Sequence, residues 1–291
     1  VQYGRGCKFN CSFCSIRAFY GNNLRQRPVE EVVEDIRRSG RRHIFIVDDN
    51  IFVDVPKAKE LFEALIPLGI NWSCQVSIDV ARDRELVDLM ARSGCISALI
   101  GFESLNPDSL REVKKGWNVK WQSYDESIAV FQSAGIMIYG TFVFGCDHDT
   151  VDNFDAAVDF AVRHKFLLAN FNPLTPTPGA PLFDRMRQEG RLLHDKWWLD
   201  PDFKYGDATM QPVGMTADDL TRGCFEARRK FNTMGSILSR LTDRRTNMRS
   251  PFRAGVYLLA NLVSRREIYR KQHRELGRAQ PVLEKKRLQP Q

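Results

Sequence analysis

Short apolar runs alternate with amphipathic stretches along the chain as far as Leu174. Val1–Arg5, His43–Asp48, Trp72–Ile78, Ser97–Phe102, Ile136–Phe144 and Phe166–Leu174 have strand length and are rich in Val, Ile and Phe. Between them, Val29–Ser39, Lys57–Leu68, Arg84–Ser93, Tyr124–Ala134 and Asn153–His164 repeat apolar residues at helical spacing. Pro28 opens the first of these helices, and Gly40, Gly69, Gly94 and Gly135 follow others. Strand, helix, strand repeated six times predicts parallel strands joined by right-handed crossovers. Six units fall short of a closed eightfold barrel. The expected fold is therefore α/β, an open partial (β/α)6 TIM-like barrel with its chemistry at the C-terminal ends of the strands.

After the sixth strand comes a rigid, turn-rich segment from Pro173 to Pro181, then a connector bearing Trp197, Trp198, Asp200, Asp202 and Tyr205. Helical spacing returns over Ala217–Leu241 and Pro251–His273, and Gln280–Gln291 is expected to fray. This divides the chain into a core (1–180), a connector (181–215) and a basic helical extension (216–291). The 291 residues are 43% hydrophobic and 27% charged, which excludes a disordered, collagen-like or small disulfide-rich chain. The apolar run Ala254–Val263 is half the length of a membrane span. Val1 already lies in a strand pattern, so no secretory leader is expected, and a preceding segment is.

The net charge of +7 is unevenly placed. Residues 1–221 carry 25 Lys and Arg against 31 Asp and Glu, whereas residues 222–291 carry 18 against 5. Such a basic section suits an anionic partner, membrane or nucleic acid, and equally a solvated tail. Phe252, Val256, Leu259 and Val263, flanked by Arg249, Arg253, Arg265 and Arg266, would fit an interfacial helix or one packed on the barrel.

Of seven cysteines, Cys7, Cys11 and Cys14 crowd one loop as C-x3-C-x2-C, and the other four are scattered. An odd, clustered set reads as a reducing, cytoplasmic protein with one local thiolate site. Three close thiolates can hold three corners of a [4Fe–4S] cluster and leave one iron open. Zinc would need a fourth ligand, with His43 or a distant cysteine as candidates, and inert thiols are the remaining reading.

The segment Arg5-Gly6-Cys7 through Cys14, at the end of the first strand of a sixfold βα repeat, resembles the radical SAM superfamily, with Phe13 in its usual aromatic position. The resemblance implies that the open iron binds S-adenosylmethionine (SAM), which is cleaved to methionine and a 5′-deoxyadenosyl radical. It also implies SAM contacts from Asp48 and Asp49 at the second strand end and from Glu103 in Gly101-Phe-Glu-Ser104. Gly140 would lie against the adenine. An Asx turn or N-cap competes for Asp49, and a cap for Ser104. Gln75 and Ser77 share one face of the third strand, towards the mouth or towards the barrel packing.

Cys14-Ser-Ile, Arg25-Gln-Arg27-Pro28, Asp48-Asp49-Asn50 and Thr175-Pro-Thr-Pro-Gly179 further resemble the cobalamin-type group of that superfamily. That likeness implies methylation or rearrangement of an unactivated carbon in a lipid, tetrapyrrole or other secondary metabolite. Cobalamin would come from an upstream domain, and the electron donor would be flavodoxin or ferredoxin. The D-x-H-x-x-G cobalamin pattern is absent from these residues, and Asp147-His148-Asp149 reads as a loop cap. Two alternatives remain: a tRNA-modifying methylthiotransferase, and a non-catalytic metal-binding protein that docks on membrane or nucleic acid.

Overall fold

A computed structural model describes residues 1–21, 23–120 and 122–275. The tail expected to fray, Gln280–Gln291, lies outside them. The strands are β1 (Gly4–Arg5), β2 (Arg25–Gln26), β3 (His43–Phe45), β4 (Asn71–Val76), β5 (Cys95–Glu103), β6 (Met137–Phe144) and β7 (Leu168–Pro173). The helices are α1 (Ser15–Tyr20), α2 (Val29–Ser39), α3 (Val55–Leu65), α4 (Arg84–Arg92), α5 (Pro107–Glu112) and α6 (Tyr124–Ser133). They continue as α7 (Asp152–Arg163), α8 (Pro181–Gln188), α9 (Ala217–Phe231), α10 (Met234–Leu241) and α11 (Pro251–Lys271).

Local chemistry sets these boundaries. Asp54 and Asp83 accept from the amides of Lys57 and Leu86 at the starts of α3 and α4. Ser123 with Glu126, and Thr216 with Asp219, form reciprocal capping boxes for α6 and α9.

Strands β3 to β7 pair in parallel in chain order and curl into a half-barrel. Side chains alternate across it. Trp72, Cys74, Ala98, Ile100, Phe102, Phe142 and Phe171 are buried against the helices. Tyr139, Thr141 and Val143 on β6, and Leu168, Asn170 and Asn172 on β7, take the other, half-buried face, the concave one. On the helical side Phe102 stacks with Phe142 at 5.7 Å and Phe142 with Phe171 at 5.5 Å. Truncating one such ring to Ala costs about 3–5 kcal/mol, so this aromatic block fixes the curvature.

The first expected strand differs from the pattern. Val1 donates to Phe45 O and accepts from Val47 N, as a parallel partner of the edge strand would. The amides of Tyr3 and Gly4 then turn to the Asp48 carboxylate (2.8 and 2.7 Å), and Gly4–Arg5 pairs antiparallel with Arg25–Gln26. A side-chain acceptor has captured donors that a sixth strand would give to the ladder. The sheet therefore has five laddered strands, with the Val1–Arg5 segment at its edge.

The chain after β7 is joined closely to the barrel. Leu220, Cys224, Ala227 and Phe231 of α9 belong to the main core. The helix expected over Ala217–Leu241 breaks at Asn232, and Thr233 caps α10 by accepting from Ser236 N. Ile237 and Tyr257 pack with Ile96, Met137 and Leu167 at the N-terminal ends of the strands. Phe252 stacks on His43 at 5.3 Å, so α11 crosses that end of the barrel.

Several arginines of the basic section act inside the fold. Arg240 is wholly buried, pushed down to about 10 by that burial, and satisfied by the carbonyls of Phe166, Leu167 and Phe231 with Asn261 Oδ1 and Ser236 Oγ. Arg249, Arg253 and Arg265 likewise donate to backbone carbonyls. No described helix is long and apolar enough to cross a membrane.

Candidate active site at the cysteine loop

The loop from Gly6 to Cys14 is held from four directions. Gly6 N donates to Asp49 Oδ2 at 2.9 Å, and Gly6 has a φ of 97°. A Cβ there would sit 2.8 Å from Asn23 O, so only glycine fits without strain. Ser12 N donates to Val113 O, and Ser12 O accepts from Leu182 N. Phe9 stacks on Trp117 with ring centres 3.8 Å apart. Phe13 packs against an apolar cluster that includes Cys146, Leu174 and Leu182.

Cys7, Cys11 and Cys14 are unpaired thiols on this loop. Burial pushes Cys11 up to about 11, partly offset by the Lys115 ammonium, and burial also raises Cys14. Both stay protonated at neutral pH until a cation displaces the proton. Among the described residues, no three His, Cys, Asp or Glu side chains converge as ligands of a single metal ion do. A cluster takes one thiolate per iron, so its ligands need not meet at a point. Three soft thiols on one tethered loop fit that donor set.

Glu103 stands beside the loop with a φ of 63°, 7% exposed, its Oε1 2.6 Å from Lys115 Nζ. Lys115 also donates to Gly101 O at 3.0 Å. Gly101 makes this possible, because a Cβ there would collide with Glu103 Oε1 and Lys115 Nζ. Lys115 was not singled out from the sequence, where it follows Lys114 in an unremarkable loop. The sequence held no signal for it, because the burial of Glu103 that demands a counter-charge is seen only in the fold.

Other expected contacts take different roles. Both oxygens of Asp48 serve the amides of Tyr3 and Gly4, and burial raises the carboxyl to about 6 despite them. Asp49 holds Gly6. The two carboxylates fix the path into the cysteine loop. Asn50 Nδ2 donates to Ser77 Oγ at 3.1 Å, so Ser77 closes an internal pair, while Gln75 stays exposed on the concave face. At Gly140 a Cβ would lie 2.6 Å from the Phe166 ring, on the helical side, so this glycine makes room for the aromatic block. Asp149 caps its loop as expected, accepting from Gly145 N, Cys146 N and Ser109 Oγ.

A cleft of about 550 Å³ opens next to the cysteines, lined by Phe13, Cys14, Asn172, Trp197, Tyr205 and Arg228. Trp197 Nε1 donates to Pro176 O, which fastens the connector over the Pro-rich turn. Asn172 and Arg228 were missed in the sequence. The alternation Asn170-Phe171-Asn172 held the signal for the first, and Arg228 was hidden among the basic residues of α9.

The radical SAM superfamily model matches residues 1–161. The chain is 31% identical over 249 residues to bacteriochlorophyllide d C-12(1)-methyltransferase of Chlorobaculum tepidum, covering 84% of this chain and 53% of that protein. It is 27% identical to hopanoid C-2 methylase of Rhodopseudomonas palustris, covering 67% and 39%. The chain spans about half the length of such relatives. Among solved structures, the radical SAM methyltransferase TsrM of Kitasatospora setae, with cobalamin and [4Fe–4S] cluster bound, aligns with a TM-score of 0.59 and 18% identity. It covers 79% of this chain and 43% of that one. The cobalamin-dependent enzyme OxsB aligns with a TM-score of 0.60 and 16% identity over 92% of this chain and 46% of that one. The half-barrel, the three-thiol loop and these matches agree, and the chain belongs to the radical SAM superfamily.

Proposed function

We propose that this chain is the SAM-cleaving core of an enzyme that methylates or rearranges an unactivated carbon in a lipid-like or tetrapyrrole-like substrate. The observation that carries the reading is the rigidly anchored loop with three thiols and no fourth, opening onto a cleft at the C-terminal ends of the strands. Cys7, Cys11 and Cys14 would hold a [4Fe–4S] cluster, which when bound supplies the electron that splits SAM into methionine and a 5′-deoxyadenosyl radical. Asp48, Asp49 and Phe13 fix the loop, the Glu103–Lys115 pair supports its buried side, and Trp197 and Tyr205 line the cleft. Names of relatives acting on bacteriochlorophyllide and hopanoids favour a large, mostly apolar substrate. Cobalamin is proposed to come from a segment beyond these residues, and electrons from a flavodoxin or ferredoxin. The helical character of α9 to α11 favours this reading over a tRNA methylthiotransferase, whose nucleic-acid module is typically a small β-barrel.

The test is anaerobic. The protein is reconstituted with iron, sulfide and cobalamin, given SAM and a low-potential reductant, and assayed by mass spectrometry. 5′-Deoxyadenosine is expected, and Cys11→Ala should abolish it. Accompanying S-adenosylhomocysteine marks methyl transfer, and deoxyadenosine alone marks rearrangement. Neither product, or deoxyadenosine that survives Cys11→Ala, overturns the proposal.

A further inference from the structure

Two arginines of the basic section are buried with no carboxylate partner among the described residues, and they differ in one respect. Arg240 places its guanidinium donors on five acceptors and is complete. Arg228 is 7% exposed, donates from Nε to Cys224 O at 3.2 Å and from Nη1 to Gln272 Oε1 at 3.4 Å, and leaves Nη2 buried with no partner. A guanidinium does not neutralise itself by losing a proton, so an unpaired buried fork is costly unless an anion completes it.

Arg228 occupies the junction of two clefts. One is the cleft beside Cys14, and the other, of about 520 Å³, lies between the concave face of β6–β7 and helix α11. Asn172, Tyr205 and Arg228 line both. The second cleft is walled mainly by apolar groups: Tyr139, Leu168, Val256, Leu259, Ala260 and Val263. Its one carboxylate, Glu267, is paired with Arg270 and Lys271. Leu259 and Val263 are 67% and 52% exposed, an apolar wall facing an open groove.

We infer that Arg228, with Asn172, is a carboxylate-recognition subsite at the junction of the clefts, for a substrate whose apolar body lies along α11 and carries its carboxylate at the end nearer the cysteine loop. This deepens the proposed function, since it takes the joined clefts as the substrate chamber. The charge sets the headgroup: planar carboxylate matches the guanidinium fork. The wall sets the body, which is apolar. Arg228 thereby fixes which end of the substrate faces the cysteine loop. It is a specificity residue, distant from the thiols in sequence and carried on a different element.

Binding is measured without SAM or reductant, by fluorescence titration of the chain. The probes are cis-parinaric acid and its methyl ester, a chain-like pair, and protoporphyrin IX and its dimethyl ester, a ring-like pair. At least one acid should bind roughly 10- to 100-fold more tightly than its ester, and Arg228→Gln should remove that preference. Arg228→Lys should restore part of it. Leu259→Asp, on an exposed position, should weaken acid and ester alike, and it keeps the test valid if Arg228→Gln fails to fold. The pair that shows the preference identifies chain or ring. Equal binding of acid and ester, no binding of either acid, or an unchanged preference in Arg228→Gln overturns the subsite. Deoxyadenosine formation is read separately: acid binding without SAM cleavage would sink the proposed reaction and leave the subsite standing.

Discussion

Replacing Lys115 with Met would strand the Glu103 carboxylate in a place that is 7% exposed. In the intact protein the ammonium lies 2.6 Å from Glu103 Oε1 and 3.0 Å from Gly101 O, so it serves a charge and a backbone acceptor together. Attraction at this range is strong in a poorly polarisable interior, but both ions have also lost their water, so the net worth of the pair is small. Breaking it is a different matter. The Glu103 charge would keep its desolvation penalty and lose its compensation, a cost of about 3–5 kcal/mol. Its left-handed backbone, φ 63°, would lose the contact that holds the side chain in place.

Removing the charge as well should relieve most of this. In Glu103→Gln with Lys115→Met the buried ion is gone, and the cost should fall to about 1–2 kcal/mol, that of unmade neutral hydrogen bonds. The pair is read by urea unfolding at pH 7, with tryptophan fluorescence as the probe, because Trp117 lies 5.4 Å from the ammonium. The pH is safe: despite burial, Glu103 and Cys11 raise Lys115 above the ordinary lysine value. Its contribution is full below about 10.5 and lost only as the pH climbs through the raised value. Lys115→Met within 1 kcal/mol of wild type, or a double variant no more stable than Lys115→Met, would refute the reasoning.

Three further outcomes follow from the packing. Arg240→Met should destabilise by about 3–5 kcal/mol in the same urea assay, because it orphans buried carbonyls, and Arg240→Lys should not rescue it, lacking the planar fork; a neutral Met variant would show those carbonyls to be satisfied elsewhere. Gly140→Ala should overpack the Phe166 ring and cost about 1–3 kcal/mol while SAM binding per folded molecule, by calorimetry, stays at the wild-type level; weakened SAM binding with unchanged stability would return Gly140 to the ligand side. Asp48 has its folded value raised to about 6, so its stabilisation is full below the ordinary 3.8 and is lost as the pH rises through 6. Asp48→Ala should therefore cost about 1 kcal/mol more at pH 5 than at pH 7.5, and equal costs at the two pH values would contradict the buried clamp.

The repeat of apolar runs and amphipathic helices was legible because both periods report burial directly. It recovered the five laddered strands and their covering helices, including the glycine stops after α2 and α4. It failed at Val1–Arg5, where the pattern of a strand is present but Asp48, distant in sequence, captures the amides. Helices α1, α5 and α8 have six to eight residues, too few turns to show a period. The cysteine loop was readable since its chemistry lies within eight consecutive residues. The structural roles of the aspartates and Gly140 were not legible, because sequence position does not say which side of the sheet a residue faces, or which amide reaches it first.

Charge was the least legible feature, and Arg228 and Arg240 show why. Both sit in the section whose excess of positive charge suggests an anionic surface partner. In the fold, Arg240 is an internal clamp that holds Phe166, Leu167, Phe231 and Asn261 together, and offers no donor to an external partner. Arg228 differs from it in no property a sequence displays; the distinction lies in how many of its five donors find an oxygen. Counting basic residues therefore overstates the attraction of this section for a membrane or nucleic acid, and it hides the one guanidinium placed where a single carboxylate would matter. Part of the basic section's charge is thus spent on the barrel, through Arg240, Arg249 and Arg253.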